Sequence, residues 1–169
     1  MEWTGARYAD SPEVRLRTWI GAPPRRVWEL VSDIAVMPTA SAELRSVEWL
    51  DGATAAAPGA RFRGHNRNDV LGEWQTISEV VECLPDTAFA WQVQGPEGPM
   101  ATWRFELAAG DGGTELVHAG RMGPGRSGLS AAIDRMPHKE QKIVHNRLCE
   151  WERSIAATLE NIKRRAEAA

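Results

Sequence analysis

The chain has 169 residues, 43% of them hydrophobic and 25% charged, with a formal net charge of −3. That length suits one domain and that balance supports a packed core, which excludes a largely disordered protein. The slightly acidic balance speaks against nucleic-acid binding, and no run approaches the roughly 18 apolar residues of a membrane-spanning helix.

Residues 1–12 lack periodicity and end in Ser11-Pro12, which predicts a loose, flexible arm ahead of a single domain over 13–169. The start has no apolar signal-peptide core, so the protein is expected to be cytoplasmic, without integral membrane association. Val14 to Ile20 alternates and reads as a strand with Val14, Leu16, Thr18 and Ile20 on its inner face. Pro23-Pro24 then suits a first helical turn, where a missing N–H is not needed. A helix is predicted from about Pro24 to Ile34, with Val27, Leu30, Val31 and Ile34 buried and Trp28 at the shoulder. Pro38 stops it, and Thr39 to Glu43 is predicted as a short second helical turn.

From there the period changes to two. Strands are predicted over Arg45–Leu50, Arg61–Asn68, Glu73–Leu84, Ala88–Gln94, Thr102–Leu107 and Thr114–Met122, with turns at Asp51-Gly52, Pro85-Asp86, Gly95–Pro99 and Asp111–Gly113. Their short spacing predicts an antiparallel meander. Gly120 to Gly128 is rich in glycine and is expected to act as a flexible gate; it lacks the lysine-bearing ending of a phosphate loop. Ser130 to Met136 reads as a short helix, with Pro137 opening a longer one.

That last helix carries the clearest signal. Val144, Leu148, Trp151, Ile155, Leu159 and Ile162 recur every three or four residues, which puts them on one face. Lys142, Asn146, Glu150, Arg153, Glu160 and Arg164 take the opposite, solvent face. The order predicts an α+β fold: a curved antiparallel sheet of six to seven strands, two short helices after the first strand, and a long C-terminal helix across the sheet. Such a sheet and one helix close imperfectly, so a cavity is expected between them.

Cys83 and Cys149 show no metal or disulfide spacing and read as buried free thiols. Strand parity sorts the other polar groups. With Phe62 inward, Gly64, Asn66 and Asn68 also point inward, and Arg61, Arg63, His65 and Arg67 point to solvent. Trp74, Trp91 and Trp103 fall on inner faces of successive strands, with Phe105 beside them, as walls for a flat apolar ligand. In the last strand His118 shares the inner parity. Asn66 and His118 are thus polar groups in an apolar-walled cavity, each needing a protein, water or ligand partner. They are the candidates for acid/base or carbonyl-polarising work, though His118 reads first as a satisfied structural histidine and next as a ligand-binding group. Trp28, Phe62, Asn66, Trp74, Trp91, Trp103, Phe105, His118, Val144 and Leu148 form the expected ligand-binding set. No metal site is expected: parity separates His65 from His118, and His138 and His145 have no carboxylate partner spacing.

Certain stretches carry a resemblance: Trp19-Ile20-Gly21-Ala22-Pro23-Pro24, Val27-Trp28, Ser32-Asp33, Pro58-Gly59-Ala60-Arg61-Phe62, Val80 to Pro85, Ala101 to Phe105 and Gly113-Thr114. With the element order, they make the chain similar to the START-like helix-grip superfamily, and within it to bacterial polyketide cyclase/dehydrase and lipid-transport proteins. The resemblance implies the helix-grip fold over about Val14 to Ile162, a ligand between the long helix and the sheet, and no metal or cofactor. Met37 to Ser41 stands where many relatives have a tryptophan pair, and the only tyrosine, Tyr8, precedes the barrel. Three functions follow as alternatives: a binder or carrier of a small hydrophobic molecule (lipid, polyketide or isoprenoid-like), a polyketide cyclase, aromatase or dehydratase, and a protein–protein interaction module.

Overall fold

The structure is a computed structural model that describes residues 1–41, 43–68 and 72–168. Seven strands form one antiparallel sheet: β1 (Glu13–Ile20), β2 (Leu44–Trp49), β3 (Arg61–Asn68), β4 (Gly72–Leu84), β5 (Ala88–Gly95), β6 (Gly98–Gly110) and β7 (Gly113–Met122). The spatial order is β1-β7-β6-β5-β4-β3-β2. The meander is therefore continuous from β2 to β7, and β1 closes on the far side of β7. The register shifts between Leu44 and Ser46, Val80 and Glu82, and Val93 and Gln94. Each irregularity bends its strand, which gives the sheet its curvature.

The helices are α1 (Pro24–Val31), α2 (Gly128–Arg135) and α3 (Glu140–Glu167). The predicted first helix ends three residues early. The Ser32 hydroxyl bonds back to the Trp28 carbonyl at 2.8 Å, and the Asp33 carboxylate caps Ala35 N–H at 2.9 Å. That cap starts a new 3-10 segment at Ile34–Thr39, which includes Pro38 and replaces the turn expected at Thr39 to Glu43; Ala42 lies outside the described residues. The β5–β6 turn is tighter than predicted, because Gly95 pairs with Gly98 and lengthens β6. Gly98 sits at φ +102, a conformation glycine reaches without strain.

The periodic stripe of α3 is buried throughout: Val144, Leu148, Trp151, Ile155, Leu159 and Ile162. The helix packs mainly on β1 and reaches α1, α2 and β7. Its C-terminal end is tied to the β1 edge, where Gly21 N–H donates to Glu167 at 2.8 Å and Lys163 donates to the Trp19 carbonyl. Nearer its start, Arg147 makes a two-pronged pair with Glu43, both contacts at 3.2 Å, just ahead of β2. The helix thus joins both margins of the sheet. Among the described residues no helix is long and apolar enough to cross a membrane.

The N-terminal arm lies against this frame. Tyr8 N–H donates to Glu140 at 3.1 Å, Gln141 donates to the Gly5 carbonyl at 2.7 Å, and Trp3 sits 5.0 Å from the His145 ring. The Tyr8 hydroxyl donates to Gly125 at 2.7 Å. The glycine-rich stretch is also held by Gly123 N–H to Met100 and Gly125 N–H to Pro99, both at 2.8 Å. Cys83 and Cys149 are free thiols, each half-buried rather than fully buried.

Candidate functional site

The inner face of the sheet carries a patch of rings on adjacent strands. Register aligns Phe89 on β5, Phe105 on β6, His118 on β7 and Leu16 on β1, and in the next row Trp91, Trp103 and Gly120. Alternation sends all of these side chains to one face. Phe105 stacks on His118 with ring centroids 4.0 Å apart and planes at 23°. Trp103 lies 5.7 Å and Trp91 6.4 Å from the same imidazole. Trp91 and Trp103 are nearly parallel at 6.4 Å, and from α3 Trp151 packs on Trp103 at 4.6 Å. Phe62 joins the patch through Trp91 at 6.3 Å, and Trp28 through Phe89 at 6.4 Å. Val144 and Leu148 belong to the same buried core.

His118 is 5% exposed, and neither ring nitrogen has a hydrogen-bond partner among the described residues. Burial pushes its pKa down from 6.5 to about 3, so the ring is neutral at physiological pH. A neutral imidazole offers one N–H donor and one lone-pair acceptor. Leaving a buried polar group unpaired costs about 1–3 kcal/mol. The arrangement is suited to donating to, or accepting from, a molecule lodged among the rings. It is poorly suited to acid catalysis by an imidazolium.

Asn66 stands elsewhere. Phe105, Phe89 and Cys83 continue the His118 row, whereas Asn66 faces Trp74, nine positions before Cys83 on β4. Four strand-to-strand steps also separate β7 from β3. Its amide donates to Gly64 O at 3.3 Å and Thr76 Oγ1 at 3.4 Å, so it has local partners. Asn66 and Trp74 line an open cleft of about 600 Å³ at the β2–β3–β4 margin, with Arg45, Ser46, His65, Arg67, Glu73 and Gln75. The structure therefore gathers Phe62, Trp91, Trp103, Phe105 and His118, with Trp28 at the margin, and leaves Asn66 and Trp74 apart from them. The Asn68 side chain lies outside the described residues.

The arginine run of β3 is a paired, outward face. Arg61 meets Asp51 at 3.1 Å, Arg63 meets Glu48 at 2.6 Å, and Arg67 meets Glu73 at 3.9 Å. His65 also approaches Glu48, at 3.5 Å.

Two contributors were not singled out from sequence. From periodicity Trp151 is only one position of the helix stripe, although a large amphipathic ring there can reach the sheet. Gly120 opposes Trp103, and a Cβ there would stand 2.6 Å from the indole. A glycine inside a strand often marks such a close approach, and that signal was present.

The comparisons agree with this architecture. A family model described as polyketide cyclase/dehydrase and lipid transport matches residues 11–167. No curated protein matches the sequence. Among solved structures, the chain is similar to a polyketide-cyclase-like protein from Corynebacterium glutamicum (26% identity, TM-score 0.65), covering 90% of this chain and 89% of that one. A protein from Deinococcus radiodurans is 20% identical with TM-score 0.61, covering 93% and 98%. The di-domain ARO/CYC StfQ of the steffimycin biosynthetic pathway is 14% identical with TM-score 0.68, covering 92% of this chain and 50% of that one. The last two are likenesses of fold. With the family match running over nearly the whole chain and the helix-grip architecture in place, this protein belongs to the polyketide cyclase/dehydrase and lipid transport family.

Proposed function

We propose that the protein binds and carries a small hydrophobic molecule, of lipid, polyketide or isoprenoid-like class, between the inner sheet face and α3. One observation carries the reading: a neutral, buried His118 with two unpaired nitrogens, walled by Phe105, Trp91 and Trp103. Apolar walls with a few convergent polar groups are the usual make-up of a small-molecule site. In this reading the rings supply most of the binding energy and His118 fixes the ligand's orientation.

The family also contains cyclases and dehydrases, and the enzyme reading would use the same space. It is the weaker one here. Asn66, the other candidate catalytic group, is four strands away, and His118 has burial as the sole cause of its shift, with no orienting carboxylate. The experiment is a native mass spectrum of the protein purified from its own host. A bound, unaltered hydrophobic molecule supports the carrier. Conversion of that molecule on incubation supports the enzyme. No bound mass, even after soaking in lipid and polyketide mixtures, overturns both.

A further inference from the structure

The rings around His118 are not equally closed. Phe105 is 2% exposed, Trp91 7% and Trp151 9%, whereas Trp103 is only half-buried. Trp103 is also the ring that lies over a glycine. A Cβ at Gly120 would meet its Cζ3 at 2.6 Å, Cε3 at 2.9 Å and Cη2 at 3.1 Å, so the indole rests flat on bare backbone. Trp151 covers it from the helix side, and Trp91 flanks it nearly in parallel. Ring pairs of this kind contribute about 0.5–1.5 kcal/mol each beyond burial. Trp103 makes three ring contacts, to Trp91, Trp151 and His118, but with part of its surface in water it changes rotamer more readily than the enclosed Phe105 or Trp91.

The position also has chemical meaning. The Trp103 indole fills the space directly beside the unpaired imidazole, at 5.7 Å between centroids. With it there, both ring nitrogens of His118 are closed off from solvent. A molecule taking its place lies on the bare backbone of Gly120, with the tilted Trp151 indole on the helix side, Trp91 flanking it and a hydrogen-bonding group within reach.

We propose that Trp103 is the door to His118: its indole swings off Gly120, and a flat fused-ring molecule bearing a hydroxyl or carbonyl group takes the vacated slot between Trp91 and Trp151 and hydrogen-bonds to the imidazole. The door itself follows from the packing, and its occupant rests on the ligand reading given above. The ligand competes with the indole, so its apparent affinity is reduced by the fraction of molecules that are closed. Flatness and a width close to that of indole then become the selection rule, because an alkyl chain leaves both ring faces poorly covered.

The test has two readouts. The first is an NMR titration of the His118 ring in the wild type, Trp103→Ala and Gly120→Ala. The groups facing the ring are Leu16 on β1, Trp91 on β5, Trp103 and Phe105 on β6 and, across Trp103, Trp151 on α3, and none carries charge. Burial is the cause of the lowered titration, so admitting water is the change that raises it. Both variants are expected to raise the proton affinity of His118 at least tenfold. Gly120→Ala keeps the indole and only displaces it, so it carries the test if Trp103→Ala does not fold. The second readout is equilibrium binding of 2-naphthol and naphthalene, two-ring probes that differ by one hydroxyl. Trp103→Ala is expected to bind 2-naphthol at least tenfold tighter than naphthalene, and adding His118→Leu is expected to abolish the difference. A His118 titration unchanged in both variants overturns the door, whatever binds. A raised titration without any preference for 2-naphthol supports the door and overturns its occupant, and with it the ligand reading.

Discussion

His118 contributes to the loss of stability of this fold in acid. An unfolded histidine takes a proton near 6.5, whereas the folded ring does so only at about 3. Between those values the unfolded chain binds more protons, so stability falls as pH is lowered through the window and levels off below it. At about 1.4 kcal/mol per unit the shift corresponds to several kcal/mol. His118→Leu, close in volume and apolar, is expected to flatten that acid loss. At neutral pH it should add about 1–3 kcal/mol by removing an unpaired buried group. Urea unfolding at a series of pH values checks both. A gain in stability together with a loss of ligand binding is the signature of a residue kept for binding rather than for folding. Parity in the sequence identified His118 as inward and polar. It could not show that both nitrogens lack partners, because that depends on what neighbouring strands bring alongside.

Sequence periodicity reports elements more fully than their relations. Periodicity alone marked the six-residue apolar stripe of α3, and all six residues are buried. The missed boundaries trace to single side chains: Ser32 and Asp33 end α1 and start the 3-10 segment by capping, which apolar spacing does not report. Asn66 and His118 show the larger gap. Alternation gives the face of a strand, but the number of strands between two residues and their offset along the sheet follow from pairing order and bulges. Across elements, the Arg147–Glu43 pair is one link between α3 and the segment leading to β2, beside the Thr39 contacts of Asn161 and Arg165. Arg147→Ala is expected to lower stability by about 1–3 kcal/mol, as for a hydrogen-bonded charged pair with restricted access to water. The loss should shrink in high salt, and thermal unfolding at two salt concentrations measures it.

For the molecule as a whole, the interior beneath α3 is lined by rings, which couples binding to stability. A ligand that binds only the folded state stabilises by about 2.7 kcal/mol at a hundred times its dissociation constant. Protein freed of co-purified small molecules is expected to melt several degrees lower than protein as isolated, and to recover when the extract is returned. Thermal scans of the two preparations, with mass spectra of each, test this. The family and the helix-grip architecture were legible in the short stretches such as Ala22-Pro23-Pro24 and Ala101 to Phe105. The particular ligand was not, since ring-lined walls are common to many contents.

The sheet order has a consequence in time as well as space. Strands β2 to β7 pair with their sequence neighbours, so each hairpin can form as soon as it leaves the ribosome. β1 cannot: Val14 faces Gly120, more than a hundred positions later. The first strand made is thus held unpaired through most of synthesis, and it docks only when β7 arrives, with α3 sealing it afterwards. Pulsed hydrogen exchange during refolding should show amides of β4 to β6 protected before those of β1. The alternation of Arg15 and Arg17 with apolar neighbours then gains a second use, as a charged guard on a strand that must wait.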